Sequence, residues 1–421
     1  MRQVPKFEGR TGRMEPKIGV DEFMALARRF GFSEAALGRI GAAVSNDDLP
    51  PGGPGLQRWM GALPEAAGDR YAVEAAEFFG VAEAIPVSSG TAALHAALVA
   101  VGVGPGDEVI VPAIGFLATS MAVALCGATP VFADIDESLQ LDPATLPGLL
   151  TTRTRAVIPT HHWGFVADLA PIVEFAQQNG LAVLEDCAQS PGASYRGARV
   201  GSVGDLGCFS ISAYKLIGGG EGGLITVREG GRLAERALQF VEGGGLWRPD
   251  RFAPERYPGE LFPGTNYRLS DLESTIARVQ LPKLPAIVDR YRRVFGQIMA
   301  GLGDYPGLTW QKSNDPTGDI GYQIRFLPAT NEQSAAIAAA LGEAGIWAGH
   351  RGPDSAPDWH TFHQMFPLFG AHADHCRPEL CPRAIDYWAR MVTLSVDQWY
   401  TADDCAAFAA TLDAVLRNVC A

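Results

Sequence analysis

The chain has 421 residues, of which 47% are hydrophobic and 19% charged, so it is an ordinary globular protein with room for two or three domains. Its formal net charge of −13 argues against nucleic acid and anionic membranes as partners, because both are bound by clustered lysine and arginine. The start of the chain lacks the apolar core of a secretory signal, and no apolar run approaches the roughly 18 residues of a membrane span.

The first 80 residues contain helical stretches around a turn cluster, LPPGGPG at 49–55, whose role the sequence does not indicate. After them the chain alternates strand and helix patterns. Six near-continuous apolar runs, typical of strands covered on both faces, lie at 108–113, 129–135, 156–161, 181–187, 206–212 and 222–228. Helical patterns lie at 91–102, 115–127 and 169–180. This repetition predicts an α/β fold with a mostly parallel sheet and helices on both faces.

The pattern changes near Pro282. Just before it, Ser270 and Glu273 form a capping box that predicts the start of a helix. Beyond it the chain is mainly helical, with one strand-like run at 320–329. We therefore expect a large domain at residues 1–282 and a smaller α+β domain at 283–421.

Lys215 stands in an apolar and glycine-rich run, FSISAYKLIGGGEGG, in a chain that has 34 basic residues but uses lysine rarely. A buried lysine can lose its proton and attack a carbonyl group. Pyridoxal phosphate (PLP) is the cofactor most often held this way. It also needs a carboxylate beside its ring nitrogen, hydrogen-bond donors around its phosphate at a helix N-terminus, and an apolar face against its ring.

Residues of each of these types occur before Lys215 in the chain. Asp186 ends an apolar strand, at the sheet edge where α/β proteins bind ligands. Gly90 and Thr91, in SSGTAAL, would present backbone N–H groups at the start of a helix, and Ser210 adds a hydroxyl. Phe116 follows a predicted strand and can cover an aromatic ring.

Each feature taken alone has a simpler interpretation. SGT before a helix is commonly a plain N-cap, Asp186 can be a buried salt-bridge partner, and a lysine near glycines can be a solvated loop residue. GVGPGD at 102–107 follows a helix and precedes a strand, the reverse of a dinucleotide-binding motif, and is interpreted as a turn. The order and joint presence of the other features favour a cofactor site.

The sequence resembles the DegT/DnrJ/StrS sugar aminotransferases, which are fold-type I PLP enzymes. The resemblance runs from roughly residue 70 to 290, with weaker similarity to the C-terminus. The matching blocks are SSGTAALHAAL, GDEVIVPAIGFLAT, TPVFADID, HHWGFVADL, LEDCAQSPGASYRG, GSVGDLGCFSIS, GEGGLI and GTNYRLSDLESTIARVQLPKL.

The resemblance implies PLP as cofactor, with Lys215 as its Schiff-base lysine and Asp186 beside its ring nitrogen. It implies that Gln189 reaches the phenolic oxygen of the cofactor. The remaining matches are the phosphate-binding residues Gly90, Thr91 and Ser210 and the stacking aromatic Phe116.

The resemblance also implies a homodimer with shared active sites. In the family, an asparagine of an Asn-Tyr-Arg segment crosses to the phosphate site of the neighbouring subunit, and Asn266 stands at that position here. Arg268 is then a residue for binding a substrate carboxylate or phosphate; the alternative is a structural arginine in the interface.

The function that the resemblance implies is transfer of an amino group from glutamate or glutamine to a keto or aldehydo sugar, in amino-sugar, antibiotic or polysaccharide biosynthesis. Ser212 and Tyr214 depart from the usual residues before the lysine, which leaves the sugar open. A dehydratase branch of the family replaces the lysine with histidine, so Lys215 favours transamination. The alternatives are a PLP-dependent sugar dehydratase or lyase and a non-catalytic PLP-binding protein.

The segment 345–369 is rich in aromatic, histidine and arginine residues that suit the apolar face and the anionic group of a sugar; packing of the small domain is the alternative. From it we select Trp347, His350 and Arg351 as substrate contacts, with Trp359 and His360 nearby. This segment and residues 386–399 also resemble the branch that aminates the terminal carbon of an eight-carbon sugar acid.

Histidine and cysteine spacing near the C-terminus does not predict a metal. His372, His375, Cys376 and Cys381 fit no standard zinc-ligand pattern, so no metal site is expected. Seven cysteines scattered over the chain are typical of reduced thiols, and we expect a cytoplasmic protein.

Overall fold

The computed structural model describes residues 18–50, 66–244, 261–354 and 358–420, together with Pro16, Gly53, Pro54 and Leu56. The chain divides into two units, residues 1–66 and residues 67–421. The first unit contains the helices α1 (Val20–Arg29) and α2 (Glu34–Ala43). Three residues of the turn cluster at 49–55 lie outside the described residues: Pro51, Gly52 and Gly55.

The second unit is built around a seven-stranded sheet. Its strands are β1 (Glu83–Val87), β2 (Glu108–Pro112), β3 (Thr129–Ala133), β4 (Thr154–Val157), β5 (Ala182–Asp186), β8 (Leu206–Ser210) and β9 (Gly223–Val227), and a separate hairpin comprises β6 (Ser194–Tyr195) and β7 (Ala198–Arg199). The order across the sheet is β1-β9-β8-β5-β4-β2-β3. The pairs from β8 to β3 are parallel, whereas β9 runs antiparallel to both of its neighbours.

Helices cover both faces of this sheet, as the sequence predicts. They are α3 (Ala67–Phe79), α4 (Gly90–Ala100), α5 (Ala118–Leu125), α6 (Leu146–Leu149), α7 (Leu169–Asn179), α8 (Arg232–Val241) and α9 (Asp271–Gln280). Alternate residues of the fully buried β2 enter different cores: Val109 and Val111 pack in one, and Ile110 packs in the other. This two-residue alternation, with both faces buried, explains why the strand appears in the sequence as an unbroken apolar run.

Beyond residue 283 a smaller, antiparallel sheet forms with its own core. Its strands, in the order β10-β11-β13-β12, are β10 (Leu308–Trp310), β11 (Gln323–Pro328), β13 (Val392–Ser395) and β12 (Ala348–His350). The helices of this part are α10 (Leu284–Met299), α11 (Asn331–Glu343), α12 (Phe366–Phe369), α13 (Pro382–Arg390) and α14 (Ala402–Val419).

The predicted α/β class is confirmed: the large sheet is mostly parallel, and the C-terminal sheet is small and antiparallel. Ser270 caps α9, because its Oγ accepts a hydrogen bond of 3.3 Å from the backbone N–H of Glu273. The domain boundary after residue 282 stays a prediction, since residues 67–421 form one unit that contains both sheets. None of the helices in the described part of the chain is both long and apolar enough to cross a membrane.

A short segment of the C-terminal half is joined to the loop that follows β2. The backbone N–H of Gly115 donates to His360 O at 2.8 Å, and the N–H of Phe362 donates to Ala113 O at 3.0 Å. Between them, Ile114 and Thr361 form an antiparallel bridge. These contacts bring His360 to the large sheet.

Candidate active site

A cavity of about 620 Å³ lies at the carboxyl ends of the parallel strands. Seven of the predicted site residues line it together: Gly90, Thr91, Phe116, Asp186, Gln189, Ser210 and Lys215. They come from distant parts of the chain and meet because the parallel strands end at one edge of the sheet.

Lys215 lies in the connection between β8 and β9, where its backbone N–H donates to Ser212 O at 3.0 Å. The glycines after it allow this connection to fold tightly, since a Cβ on Gly218 would clash with the carbonyl oxygens of Ile211 and Ser212. Burial lowers the pKa of Lys215 below its ordinary value, and the charge of Asp186 partly opposes that shift. The Lys215 amine is therefore easier to deprotonate than a surface lysine.

Asp186 ends β5 and is only 5% exposed. Thr119 Oγ1 donates to one of its carboxylate oxygens at 2.6 Å, and the N–H of Ala188 donates to the other at 3.1 Å. Burial raises the pKa of Asp186, although these two hydrogen bonds and the charge of Lys215 act to lower it. None of the described cationic groups hydrogen-bonds to the carboxylate, so Asp186 would be stabilised by a protonated ring nitrogen.

The N-terminus of α4 also lines the cavity. Ser89 caps this eleven-residue helix, its Oγ accepting from the N–H of Ala92 at 3.0 Å. The N–H groups of Gly90 and Thr91 come first in the helix and have no acceptor within it, so they suit an anion. A Cβ on Gly90 would lie 2.9 Å from Ser210 Cβ, so glycine allows the end of β8 to approach the helix. The arrangement fits a phosphate group.

Phe116 and Gln189 complete the predicted cofactor wall. Phe116 is 47% exposed, and its ring centroid lies 5.4 Å from that of His360. Gln189 is fixed at both ends: its Oε1 accepts from the N–H of Trp163 at 3.1 Å, and its carbonyl oxygen accepts from Tyr322 Oη at 3.0 Å. With Asp186 and the start of α4, these residues bring a carboxylate, helix N–H groups and an aromatic ring to one cavity, the types of group that PLP needs.

Asn266 and Arg268 lie outside the cavity of their own chain. Asn266 Oδ1 accepts from the N–H of Arg268 at 3.4 Å, and Arg268 Nη1 is 3.5 Å from Glu242 Oε2. The backbone of Arg268 forms a bridge with Val87, at the end of β1. The segment therefore runs beside the strand that leads into the phosphate-binding helix.

The predicted substrate residues of 345–369 also lie outside this cavity, with one neighbour inside it. Trp347 is 71% exposed, His350 ends β12, and Arg351 Nη2 is 2.6 Å from Asp358 Oδ2. His360 lines the cavity, and its Nδ1 is 2.7 Å from the buried Asp358. The substrate roles of Trp347, His350, Arg351 and Arg268 stay predictions.

Sequence reasoning missed several residues that shape the site. Thr119 is separated from Asp186 by 67 positions, so no local pattern predicts their hydrogen bond. Thr160 lines the cavity with a buried hydroxyl that lacks a described partner. Trp163 adopts the left-handed conformation with φ 56°, which is uncommon for a bulky residue.

A buried cluster of His161, Glu185 and Cys187 is the one group of metal-ligating side chains that comes together in the described residues. The N–H of Ala167 donates to His161 Nδ1 at 3.1 Å, and His161 Nε2 lies 3.0 Å from Glu185 Oε2. Glu185 also accepts three backbone N–H groups from residues 201–204. Protein groups thus already satisfy the cluster, which supports the strand that carries Asp186.

Comparison with known proteins adds a family match to this geometry. The profile of the DegT/DnrJ/EryC1/StrS aminotransferase family matches residues 66–410, most of the chain. The chain belongs to this aminotransferase family. The resemblance predicted from the sequence blocks is therefore confirmed.

Relatives of this aminotransferase-family chain act on sugars. It is 42% identical over 235 residues to GDP-perosamine synthase from Caulobacter vibrioides. This match covers 54% of this chain but only 61% of that protein. It is 38% identical over 275 residues to UDP-N-acetyl-3-dehydro-α-D-glucosamine 3-aminotransferase from Acidithiobacillus ferrooxidans, covering 65% of this chain and 71% of that protein.

A solved structure shows the same architecture. It is that of DesV from S. venezuelae in complex with a ketimine intermediate, with a TM-score of 0.70 and 28% identity over 84% of this chain and 90% of that chain. The similarity confirms that this aminotransferase-family chain has the fold of fold-type I PLP enzymes.

Proposed function

We propose that the protein is a PLP-dependent aminotransferase that moves an amino group from glutamate or glutamine to a keto or aldehydo sugar. The observation that carries the proposal is the convergence of Lys215, Asp186 and the N-terminus of α4 on one cavity. The cavity lies at the edge of the sheet where α/β folds bind ligands. We place the protein in the cytoplasm, in keeping with its seven unpaired cysteines.

The residues of the cavity divide the work of such a reaction. PLP, when bound, supplies an electron sink for the pair of electrons released at the α-carbon of an amino acid. Lys215 would hold the cofactor until the amino donor displaces it. Its Nζ would then carry the proton between the α-carbon of the amino acid and a carbon atom of the cofactor. Asp186 would keep the ring nitrogen protonated, and Gly90, Thr91 and Ser210 would hold the phosphate. Phe116 would cover the ring and help to exclude water.

The proposed acceptor is a sugar or a related cyclic polyol ketone of amino-sugar, antibiotic or polysaccharide biosynthesis. Support comes from the relatives, which include four L-glutamine:2-deoxy-scyllo-inosose aminotransferases at 35–38% identity. Their name also supports glutamine as a donor. Arg268, Trp347, His350 and Arg351 are proposed to contact the acceptor because of their residue types.

Incubation of the PLP-loaded protein with glutamate or glutamine tests the reaction. We expect loss of the visible absorbance of the bound cofactor, formation of its pyridoxamine form, and release of the 2-oxo acid of the donor. Subsequent addition of 2-deoxy-scyllo-inosose or UDP-N-acetyl-3-dehydro-α-D-glucosamine should restore the absorbance if that ketone is accepted. A protein that binds PLP but leaves every amino acid unchanged would instead support a dehydratase, a lyase or a non-catalytic role.

We further propose a homodimer in which Asn266 completes the phosphate site of the partner. Asn266 lies outside the cavity of its own chain, yet its segment runs beside β1, which leads into the phosphate-binding helix. A residue in that position can reach a second copy across a twofold axis.

Mixing two inactive variants tests the shared site. Lys215→Ala and Asn266→Ala chains should each have little activity, whereas a mixed dimer holds one site in which both residues are intact. After full subunit exchange at equal concentrations, half of the dimers are mixed and about a quarter of the wild-type sites are restored. The measurement is the donor half-reaction before and after exchange.

A mixture of Lys215→Ala with Asp186→Ala is the matched control. Both residues belong to the same cavity of one chain, so no mixed dimer contains an intact site. Equal rescue in both mixtures, or no rescue in either after exchange is demonstrated, would count against a site shared through Asn266.

A further inference from the structure

The side-chain amide of Gln189 is held in one orientation by the backbone of Trp163. Its Oε1 accepts from the N–H of Trp163 at 3.1 Å, so its NH₂ group stays available for another acceptor. Gln189 lines the cofactor cavity, and together with Lys215 and Trp163 it also lines a smaller pocket beside that cavity. The NH₂ group is therefore a hydrogen-bond donor in the neighbourhood of the Lys215 amine.

The backbone of Trp163 that makes this contact is strained. Its φ of 56° and ψ of 32° lie in the left-handed region, which a bulky residue rarely adopts. Such residues persist only where their surroundings hold them in place, and they are concentrated at functional sites. The contacts of the Trp163 ring therefore decide whether its N–H stays directed at Gln189.

Two flat side chains enclose the ring of Trp163. The His162 ring is stacked on it, with centroids 4.0 Å apart and planes 23° apart, and the guanidinium carbon of Arg325 lies 3.8 Å from its centroid. Two groups this close to one centroid cannot share a face, so His162 and Arg325 cover opposite faces. Burial, together with the charges of neighbouring cations, lowers the pKa of His162 well below its ordinary value, so its ring is neutral beside them.

Arg325 is a buried cation that the small sheet brings to this ring. It lies in β11 and is only 2% exposed. Among the described groups, its Nε and Nη1 have no hydrogen-bond acceptor. Burial lowers the pKa of Arg325 to about 9, which still leaves the side chain positively charged at neutral pH. A buried cation without acceptors is destabilising, and an aromatic face attracts a cation most strongly where water is excluded, so the Trp163 ring offsets part of that effect.

We propose that Arg325 is a positioning residue: by holding the ring of Trp163 it orients the Gln189 amide, whose NH₂ group then donates to the phenolic oxygen of bound PLP. The inference rests on the proposed function, because it assumes that PLP is the cofactor. In PLP this oxygen is next to the carbon that is linked to the lysine, so a donor beside Lys215 is suitably placed for it. Tyr322 Oη separately donates to the carbonyl oxygen of Gln189 at 3.0 Å, so loss of Arg325 should change the amide more than the backbone.

A hydrogen bond to the phenolic oxygen changes the acidity of the bound cofactor. The oxygen shares a proton with the nitrogen that links PLP to Lys215, and a second donor to the oxygen weakens its attraction for that proton. Loss of the donor should therefore raise the pH at which the link loses its proton. The effect of one neutral hydrogen bond corresponds to a shift of roughly 0.5 to 1 pH unit.

Absorbance titrations of the PLP-loaded protein measure this midpoint. Gln189→Ala should raise the midpoint by roughly 0.5 to 1 pH unit, and Arg325→Met should raise it in the same way. In the double variant the second change should add nothing, because both act through one hydrogen bond. Arg199→Met is the matched control, since its guanidinium lies 4.1 Å from the ring centroid of Phe78, away from the cavity, and its midpoint should equal that of the wild type.

A direct effect of the charge of Arg325 is separated from positioning by two comparisons. The titratable side chains that line the cavity with Lys215, which are Asp186, Tyr214, Glu221 and His360, are the same in every variant. Arg325→Lys keeps the positive charge but loses the flat guanidinium, so it should also raise the midpoint. A charge effect alone would leave the midpoint of Arg325→Lys unchanged and would add to that of Gln189→Ala.

Several results would overturn the positioning role even if the protein converts glutamate. They are a wild-type midpoint in Arg325→Met, a wild-type midpoint in Arg325→Lys, and full additivity in the double variant. If Arg325→Met does not fold, Trp163→Leu takes its place, because it removes the ring that Arg325 holds and should give the same non-additive shift. A wild-type protein that acquires no visible absorbance with PLP would instead overturn the proposed function.

Discussion

Replacing Lys215 with alanine is expected to slow the donor half-reaction by at least about 10³-fold, because the cavity loses its acid–base group. The variant should also lose the visible absorbance that PLP has when linked to lysine, although the phosphate site at α4 remains. Lys215→Arg should be equally inactive: its guanidinium keeps a positive charge but cannot release a proton. Stopped-flow absorbance with glutamate measures both effects.

Lys283→Ala is the matched control for Lys215. This exposed lysine lies just before α10 and does not line the cavity. The control should keep wild-type absorbance and rate. Activity of Lys215→Ala near the wild-type level would remove the lysine from the mechanism.

Asp186→Asn is expected to slow the chemical step by about 10²- to 10³-fold, the usual effect of losing a preorganised electrostatic contact. The amide keeps the shape of the carboxylate but loses its charge, so it no longer favours a protonated ring nitrogen. PLP affinity should fall much less, because Lys215 and the phosphate contacts are unchanged. Single-turnover rates and a PLP titration separate the two quantities.

Asp205→Asn makes the same chemical change at the opposite end of the strand. Asp205 accepts from the N–H of Val183 at 2.9 Å near the start of β5, away from the cavity. Its amide variant should retain normal single-turnover rates. If Asp186→Asn reacts as fast as Asp205→Asn, the proposed pairing with the ring nitrogen is wrong.

The order of strands and helices could be predicted because each carries a local signal. β2 and β9 are buried on both faces and appear as apolar runs, while Gly180 ends α7 in a left-handed turn. Asp186 and Lys215 could be selected for a related reason. Each is a charged residue within an apolar stretch of sequence, where a charged side chain is unusual. Such conflicts are visible in sequence without any knowledge of contacts.

Strand direction and side-chain partners could not be predicted in this way. β9 runs antiparallel to β8, yet an apolar run is the same in either direction. Tertiary packing creates the hydrogen bond from Thr119 to Asp186. It also brings the side chains of Gln323 and Gln398 to one pocket next to Lys215. The left-handed Trp163 likewise follows from its environment, since local preference disfavours it.

The backbone hydrogen bonds between residues 113–115 and 360–362 limit how the protein can open. They place His360 against the loop that carries Phe116, although about 240 residues separate the two in sequence. The two side chains therefore move together. If the four-stranded sheet rotates as a rigid body, either residues 360–362 stay with the large sheet or both hydrogen bonds must break together. Opening would then widen the space next to Lys215 that is lined by Gln323 of β11 and by Gln398. The side of the cavity that contains Phe116 would stay fixed.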